Sequence, residues 1–249
     1  MKQFVILLVV GLSVSGCGKV NSLELQQGDL LFQDLDRGPL SNAIEKVTTG
    51  YGGADFTHVG IVALDNNGPA PSSIHFTMAS SSIQKKGWVV IEAGKGGVKI
   101  TPLQDFLDRS TDPQNNPKVA VGRLKQPYRR LTAPALNEAR ALIGKPYDKA
   151  FVIGNDSYYC SELIYEIFLR ANDNKPIFEL QPMTFKDPDT GVILDAWQDY
   201  FSGLGIAVPQ GSPGINPGAI SRSPLLTIIH AYYVTNGPKT KPNSKIMQE

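Results

Sequence analysis

With two cysteines in 249 residues, at positions 17 and 160, this chain cannot be stapled by a disulfide framework, so its fold has to rest on an apolar core. The composition supplies one. Hydrophobic residues make up 41% of the chain and charged residues 19%, the balance of a globular domain rather than a disordered segment. Lys and Arg number 24 against 23 Asp and Glu, with no basic run, which argues against a nucleic-acid partner, because phosphate contact needs a concentrated cationic field. There is no internal repeat and no second composition regime, so a single α+β domain is expected over residues 28–235.

The first 16 residues read as a secretory signal: Lys2, an apolar run at 4–12, then small residues up to Gly16. That run is well short of the roughly 20 residues needed to cross a bilayer. Val14-Ser15-Gly16-Cys17 resembles the bacterial lipobox, in which the cysteine thiol takes diacylglycerol and becomes the new N-terminus. The resemblance implies lipidation of Cys17, a tether over residues 17–27, and membrane attachment through that lipid. With Gly18 after the cysteine, it implies a cell-envelope location on the outer membrane facing the periplasm. Cys160 is then left without a partner in its own chain, as an inert buried thiol, an intermolecular bridge or a working nucleophile.

Residues 18–27 look like a polar tether, and Gly28-Asp29-Leu30-Leu31-Phe32-Gln33 like a turn feeding a first strand. A short helix is expected at 40–47, before the loop Gly50-Tyr51-Gly52-Gly53. Stretches at 57–64, 74–78, 88–93, 98–100, 118–124 and 225–234 have strand character, broken by turn residues at 65–69 and at Gly94-Lys95-Gly96-Gly97. Thr101-Pro102-Leu103-Gln104 has the form of a helix start, with Thr as cap and Pro at the first helical position, running to about Asp108. Residues 132–143 read as a helix stopped by Gly144 and Pro146. Residues 202–224, rich in Gly, Pro and Ser, read as a long loop, and residues 236–249 as a flexible tail.

The strongest helical pattern comes at 160–171, where Cys160, Leu163, Ile164, Ile167, Phe168 and Ala171 recur at three- and four-residue spacing on one face. Capping by Ser157 or Asp156 places Cys160 in the first turn. Unpaired amides and the helix dipole there lower a thiol pKa and can hold an oxyanion. The same apolar face suits an inert packed cysteine equally well, so a general base decides. The histidines are His58, His75 and His230; spacing alone does not choose among them, and no pair has metal-ligand spacing, so neither a metal nor another cofactor is expected.

Four blocks settle the choice by likeness: Gly28-Asp29-Leu30-Leu31-Phe32, Thr57-His58-Val59-Gly60-Ile61, Val90-Ile91-Glu92-Ala93 and Tyr158-Tyr159-Cys160-Ser161-Glu162-Leu163. In this order they resemble the YiiX/YaeF-like branch of the NlpC/p60 superfamily, circularly permuted papain-like thiol amidases in which the histidine strand precedes the cysteine helix. The resemblance spans residues 28–230. It implies an antiparallel sheet or partial barrel packed against a nucleophile-bearing helix, with Cys160 as nucleophile, His58 as general base and Glu92 as the group orienting the imidazole. Strand alternation agrees with the last assignment, since Val90 and Glu92 share one face while Val89, Ile91 and Ala93 share the other. Tyr158, Tyr159 and Ser161 are candidates for the pocket wall or the oxyanion site, and Glu162 for capping the helix.

The activity implied is thiol-dependent hydrolysis of an amide bond. A cell-envelope setting suggests a peptidoglycan-type peptide or an amidated amino acid as substrate. The same Cys-His pair also serves lipid acyl transfer or hydrolysis, and a non-catalytic binding module on this fold is the third reading. An apolar groove favours acyl lipid; polar groups for charged termini favour peptide.

Overall fold

The computed structural model describes residues 23–35, 38–65, 73–76 and 87–232. The signal segment, Cys17, the turn beyond Asp65 and the tail from 236 lie outside them. Among the described residues, ten strands and six α-helices follow in chain order: β1 Leu23–Gln26, β2 Leu30–Gln33, α1 Pro39–Val47, β3 His58–Leu64, β4 Ser73–Phe76, β5 Trp88–Gly94, β6 Gly97–Pro102, α2 Leu103–Asp108, β7 Val119–Leu124, α3 Thr132–Ala141, α4 Cys160–Ala171, β8 Gln181–Pro182, α5 Asp195–Gly203, β9 Pro213–Gly214, α6 Pro217–Ser221 and β10 Leu226–Ala231.

Six strands form one antiparallel sheet in the order β10-β7-β2-β3-β5-β6. It is open: β6 pairs only with β5 and runs straight into α2, and β10 pairs only with β7. Of the two forms expected from sequence, an antiparallel sheet or a partial barrel, the described strands make an antiparallel sheet that does not close into a barrel. Both faces are covered. Leu30, Phe32, Val59, Ile61, Val89 and Ile91 face α3 and α4, while Leu31, Val62, Val90 and Val121 face Leu103, Phe106 and Leu107 of α2. Burial on both sides is why residues 59–63 are apolar without strict alternation.

Gly60 sits in β3, opposite β5. A Cβ there would lie 2.4 Å from Val90 Cγ1 and 3.3 Å from Glu92 Cβ, so the glycine lets the two strands carry bulky side chains on a shared face. We expect Gly60→Ala to destabilise the fold by about 1–3 kcal/mol through overpacking. Urea unfolding checks this; an unchanged midpoint would show that β5 yields freely.

Four expectations change. Residues 23–26, read as tether, form β1 and pair with β4, with Leu25 buried in the α2-side core. Thr101 is not a helix cap: it is in β6, and α2 begins after Pro102 with no side-chain cap. Neither Asp156 nor Ser157 caps α4. Asp156 takes a left-handed backbone (φ 59°) and Ser157 is bound to Asn155, so the helix starts a few residues later, with Tyr159 as its N-cap and the Glu162 carboxylate accepting the Tyr159 amide at 3.3 Å. The segment 202–224 is not featureless, since it holds the end of α5, then β9 and α6.

The segment 172–201, for which sequence reading proposed no element, supplies α5. Trp197 and Phe201 of that helix pack with Phe185 and Ala43 of α1 in a cluster separate from the sheet core. This second cluster makes one side of the cavity described next.

Candidate functional site

His58 is the first residue of β3, so its side chain stands at an end of the sheet where α4 crosses; α4 packs on β3 and β5. Cys160 is the first residue of α4. The two side chains share a hydrogen bond, and the amides of Val59 and Ser161 also point at the sulfur. On its far side, His58 Nε2 lies 2.6 Å from Glu92 Oε2, which leaves Nδ1 for the thiol. Cys160 and His58 are each 7% exposed and Glu92 is fully enclosed. Cys160, His58 and Glu92, chosen from sequence, thus come together in one chain of contacts.

The carboxylate is held by more than the imidazole. Arg109 Nη1 donates to Glu92 Oε1 at 2.8 Å and Nη2 to Oε2 at 2.7 Å, a bidentate pair. Thr101 Oγ1 donates to Oε1 at 2.5 Å. The guanidinium itself is fixed by Gln33 Oε1, which accepts from Nε at 2.7 Å, and lies 4.2 Å above the Phe106 ring. Gln33 in turn donates to the Phe106 carbonyl at 2.7 Å. Sequence reading missed Thr101, Gln33 and Arg109. Gln33 was visible only as the one polar residue ending an apolar strand, and nothing in the local sequence at Arg109 announces its partner 17 residues away.

These contacts set the charges. Burial alone raises a thiol pKa, but the bond to His58, its charge and the two amides outweigh burial and bring Cys160 below its ordinary value. For His58, burial pulls the other way, yet the bonds to Cys160 and Glu92 lift the imidazole above 6.5. The two shifts together favour a thiolate–imidazolium pair. Burial would raise Glu92; His58 and Arg109 overcome it and hold the carboxyl far below the usual range. For Glu162, burial pushes the carboxyl up to about 8 despite the Gly154 and Tyr159 amides.

Three of the flanking candidates have other tasks. Tyr158 does not line the cavity; its hydroxyl accepts from Arg170 at 3.1 Å, on the far side of α4. Tyr159 and Ser161 do line it, but their hydroxyls hold Ile215: the Ile215 amide donates to Tyr159 Oη at 3.1 Å, and Ser161 Oγ donates to the Ile215 carbonyl at 2.9 Å. Tyr147, which sequence reading also missed, lines the same cavity; burial and the charge of Cys160 raise its hydroxyl well above its ordinary pKa, so it remains a donor. His230 lies on edge strand β10, three strands from β3, and burial lowers its pKa. Asp29 of the Gly28-Asp29 block is structural, paired with Arg123 of β7 at 2.7 Å.

Cys160 opens onto a cavity of about 1020 Å³, at the upper end of the roughly 300–1,000 Å³ usual for small-ligand sites. One side is the catalytic-looking chain of Cys160, His58 and Glu92 with the β5–β6 hairpin; the other is formed by α1, α5 and residues 181–185.

A protein from Escherichia coli strain K12, YiiX, itself uncharacterised, is 24% identical over 204 residues, spanning 82% of this chain and 85% of YiiX. A crystal structure of YiiX from Escherichia coli O157:H7, described as a metalloprotein, superposes with a TM-score of 0.61 at 23% identity, covering 83% of this chain and 97% of that one. That likeness shows the shared fold. The model of the permuted papain-like amidase family matches residues 24–230, a span that holds β3, β5 and α4 in the permuted order. On that match the chain belongs to the permuted papain-like amidases of the YaeF/YiiX, C92 family.

Proposed function

We propose that this chain is a thiol-dependent amidase of the NlpC/p60 type, with Cys160 as nucleophile, His58 as the proton carrier and Glu92 as the residue positioning the imidazole. The observation that carries the reading is the Cys160–His58–Glu92 chain, with both shifts favouring thiolate and imidazolium. The thiolate attacks the amide carbonyl; the imidazolium gives its proton to the leaving amine; water, deprotonated by the neutral imidazole, then releases the acyl group. The oxyanion meets main-chain amides at the start of α4, with the Tyr147 hydroxyl as an added donor.

A resident metal does not fit these residues. Both Glu92 oxygens are occupied, and a cation placed on them would face the Arg109 guanidinium. Among the described residues no group of three or more His, Cys, Asp and Glu is placed to hold a metal ion.

The lipobox-like Val14-Ser15-Gly16-Cys17 supports a lipid on Cys17 that keeps the domain at a membrane of the cell envelope, held stably by two or more acyl chains. Among the described residues no helix is long and apolar enough to cross a membrane. Peptidoglycan-type peptides or amidated amino acids are the substrates that this setting suggests. The second reading, an acyl lipid, is favoured by the apolar side of the cavity.

Iodoacetamide tests the pair. Cys160 is expected to alkylate readily at pH 7, and His58→Ala to slow labelling at least about tenfold, since removing the imidazole leaves burial opposed only by the Val59 and Ser161 amides. The pH profile of amide turnover is expected to be bell-shaped. Its acid limb comes from protonation of the Cys160 thiolate, and its alkaline limb, above 6.5, from loss of the His58 proton. Equal labelling of the two proteins at the rate of an ordinary thiol would remove the proposal and leave a binding module.

A further inference from the structure

We infer that Lys125, Arg129 and Arg130, at the end of the sheet remote from His58, form a docking surface for anionic phospholipid headgroups that fixes how the domain sits on its membrane. This rests on the lipid-tether reading of Cys17 above and adds which face of the domain meets the bilayer.

The charges of the chain balance overall but are unevenly spread. From residue 113 to residue 137 there are five cations, Lys118, Arg123, Lys125, Arg129 and Arg130, and no acid. Two of them are used inside the fold: Lys118 Nζ pairs with Asp34 at 2.8 Å and Arg123 with Asp29 at 2.7 Å. The other three follow β7 in one turn. The Tyr128 amide donates to the Lys125 carbonyl at 2.9 Å, and the 3₁₀ turn Tyr128–Leu131 carries both arginines. All three are exposed, and none is in an ion pair among the described residues. Lys125 Nζ donates to the Pro224 carbonyl at 2.9 Å and Arg129 Nε to the Leu124 carbonyl at 3.1 Å, neutral partners that leave the charges uncancelled. Asp29 also feels Arg129, but Arg123 already takes both its oxygens at 2.7 Å, and Glu24 likewise acts on Arg123. Three positive charges within six residues attract an anionic surface.

The tether starts beside them. Arg123 Nη2 donates to the Glu24 carbonyl of β1 at 2.7 Å, and Arg129 borders the same hollow as Gln26 and Gln27. Cys17 is six residues ahead of Leu23, and that length of chain reaches at most about 20 Å, so a lipid on Cys17 keeps the cations close to the headgroups. A basic cluster next to an acyl anchor is the pairing that anionic lipid holds. His58 is at the other end of the sheet. Gln33 pairs with both His58 and Val119, the first residue of β7, whereas the cluster follows Leu124, the last. One strand length, about 17 Å, separates them, so docking through the cluster keeps His58 off the bilayer.

The test uses the chain from residue 17 on, which keeps every described element, with Cys17→Ser so that no acyl chain contributes. Its vesicles are phosphatidylcholine alone or phosphatidylcholine with about one third phosphatidylglycerol. Sedimentation is expected to show at least about tenfold tighter binding to the anionic vesicles at low salt, lost in about 0.5 M salt. Arg130→Gln, which breaks no side-chain hydrogen bond among the described residues, is expected to weaken that binding about fivefold. The triple variant Lys125→Gln, Arg129→Gln, Arg130→Gln is expected to bind both vesicles alike, with its thermal melt and Cys160 labelling unchanged. Lys175→Gln with Lys186→Gln, which removes exposed charge elsewhere, is expected to leave binding as it was. Equal binding of the parent to both vesicles, a triple variant that binds like the parent, or an equal loss from the Lys175 and Lys186 pair would overturn the inference. Tighter binding to soluble poly-glutamate than to the anionic vesicles would overturn it in favour of an acidic protein partner. The mass of the chain isolated from membranes reports the tether separately: an unmodified Cys17 would remove the tether reading, and the orienting role with it, whatever the vesicles show.

Discussion

Replacing Cys160 by alanine is expected to lower amide turnover by at least about 10⁴-fold, the scale seen when a nucleophile is removed from a site whose members act as one unit. His58→Ala is expected to cost nearly as much, and the double variant little more than either alone, because neither residue does chemistry without the other. Each variant should still unfold cooperatively, since α4 keeps Leu163, Ile164, Ile167 and Phe168 fully buried. Steady-state kinetics beside a thermal melt checks both statements. Losses that multiplied in the double variant would mean that Cys160 and His58 act independently, contrary to the hydrogen bond between them.

The second large effect is predicted at Arg109, which contacts no reacting atom. Arg109→Ala leaves the fully enclosed Glu92 carboxylate with only His58 and Thr101, and removal of one partner from a buried ion pair costs about 3–5 kcal/mol. The sign of the pH dependence separates this from a general loss of packing. Glu92's folded pKa is depressed, so its contribution is fully present above its ordinary 4.5 and declines as pH falls from there. Without Arg109 the depression is smaller, and the variant's stability should converge on that of the parent as pH falls below 4.5. The alkaline limb of the activity profile should also move to higher pH, because Glu92 stays ionised there and its charge, no longer shared with a guanidinium, supports the imidazolium more. Arg109→Lys should recover part of the stability but not the bidentate geometry. Urea melts from pH 3 to 7 decide; a deficit that stays constant across that range would reduce Arg109 to a packing residue.

Much of the fold could be read from residue pattern because the relevant forces are local or periodic. Strands at 58–64, 88–94 and 119–124 are β-branched and bounded by turn residues, and the buried face of α4 repeats at helical spacing. Cys160 and His58 were legible from their blocks and order, and Glu92 also from its strand face. The shell around them was not. Thr101 looked like a helix cap because Thr-Pro is a common helix start, yet the pairing of β6 with β5 claims it for the sheet and aims its hydroxyl at Glu92. Arg109 and Gln33 have their roles only once β2, β5 and α2 are assembled. The helix α5 did carry a local signal, with Trp197, Tyr200, Phe201 and Leu204 at three- and four-residue spacing, hidden among prolines and glycines on either side. Tyr158 beside the nucleophile turned out to face Arg170, since consecutive residues at a helix start point in different directions.

The paired hydrogen bonds from Tyr159 and Ser161 to the two sides of the Ile215 peptide have a mechanical consequence. They clamp the 213–216 strip of the cavity to the residues immediately before and after the sulfur. The strip therefore travels with the nucleophile as one rigid body together with residues 181–182, which are paired to it as β8 to β9, and any opening that admits a bulky substrate has to come from α1 and α5 across the cavity. Substrate range can then drift by changes on that movable half while the distance from sulfur to imidazole stays fixed.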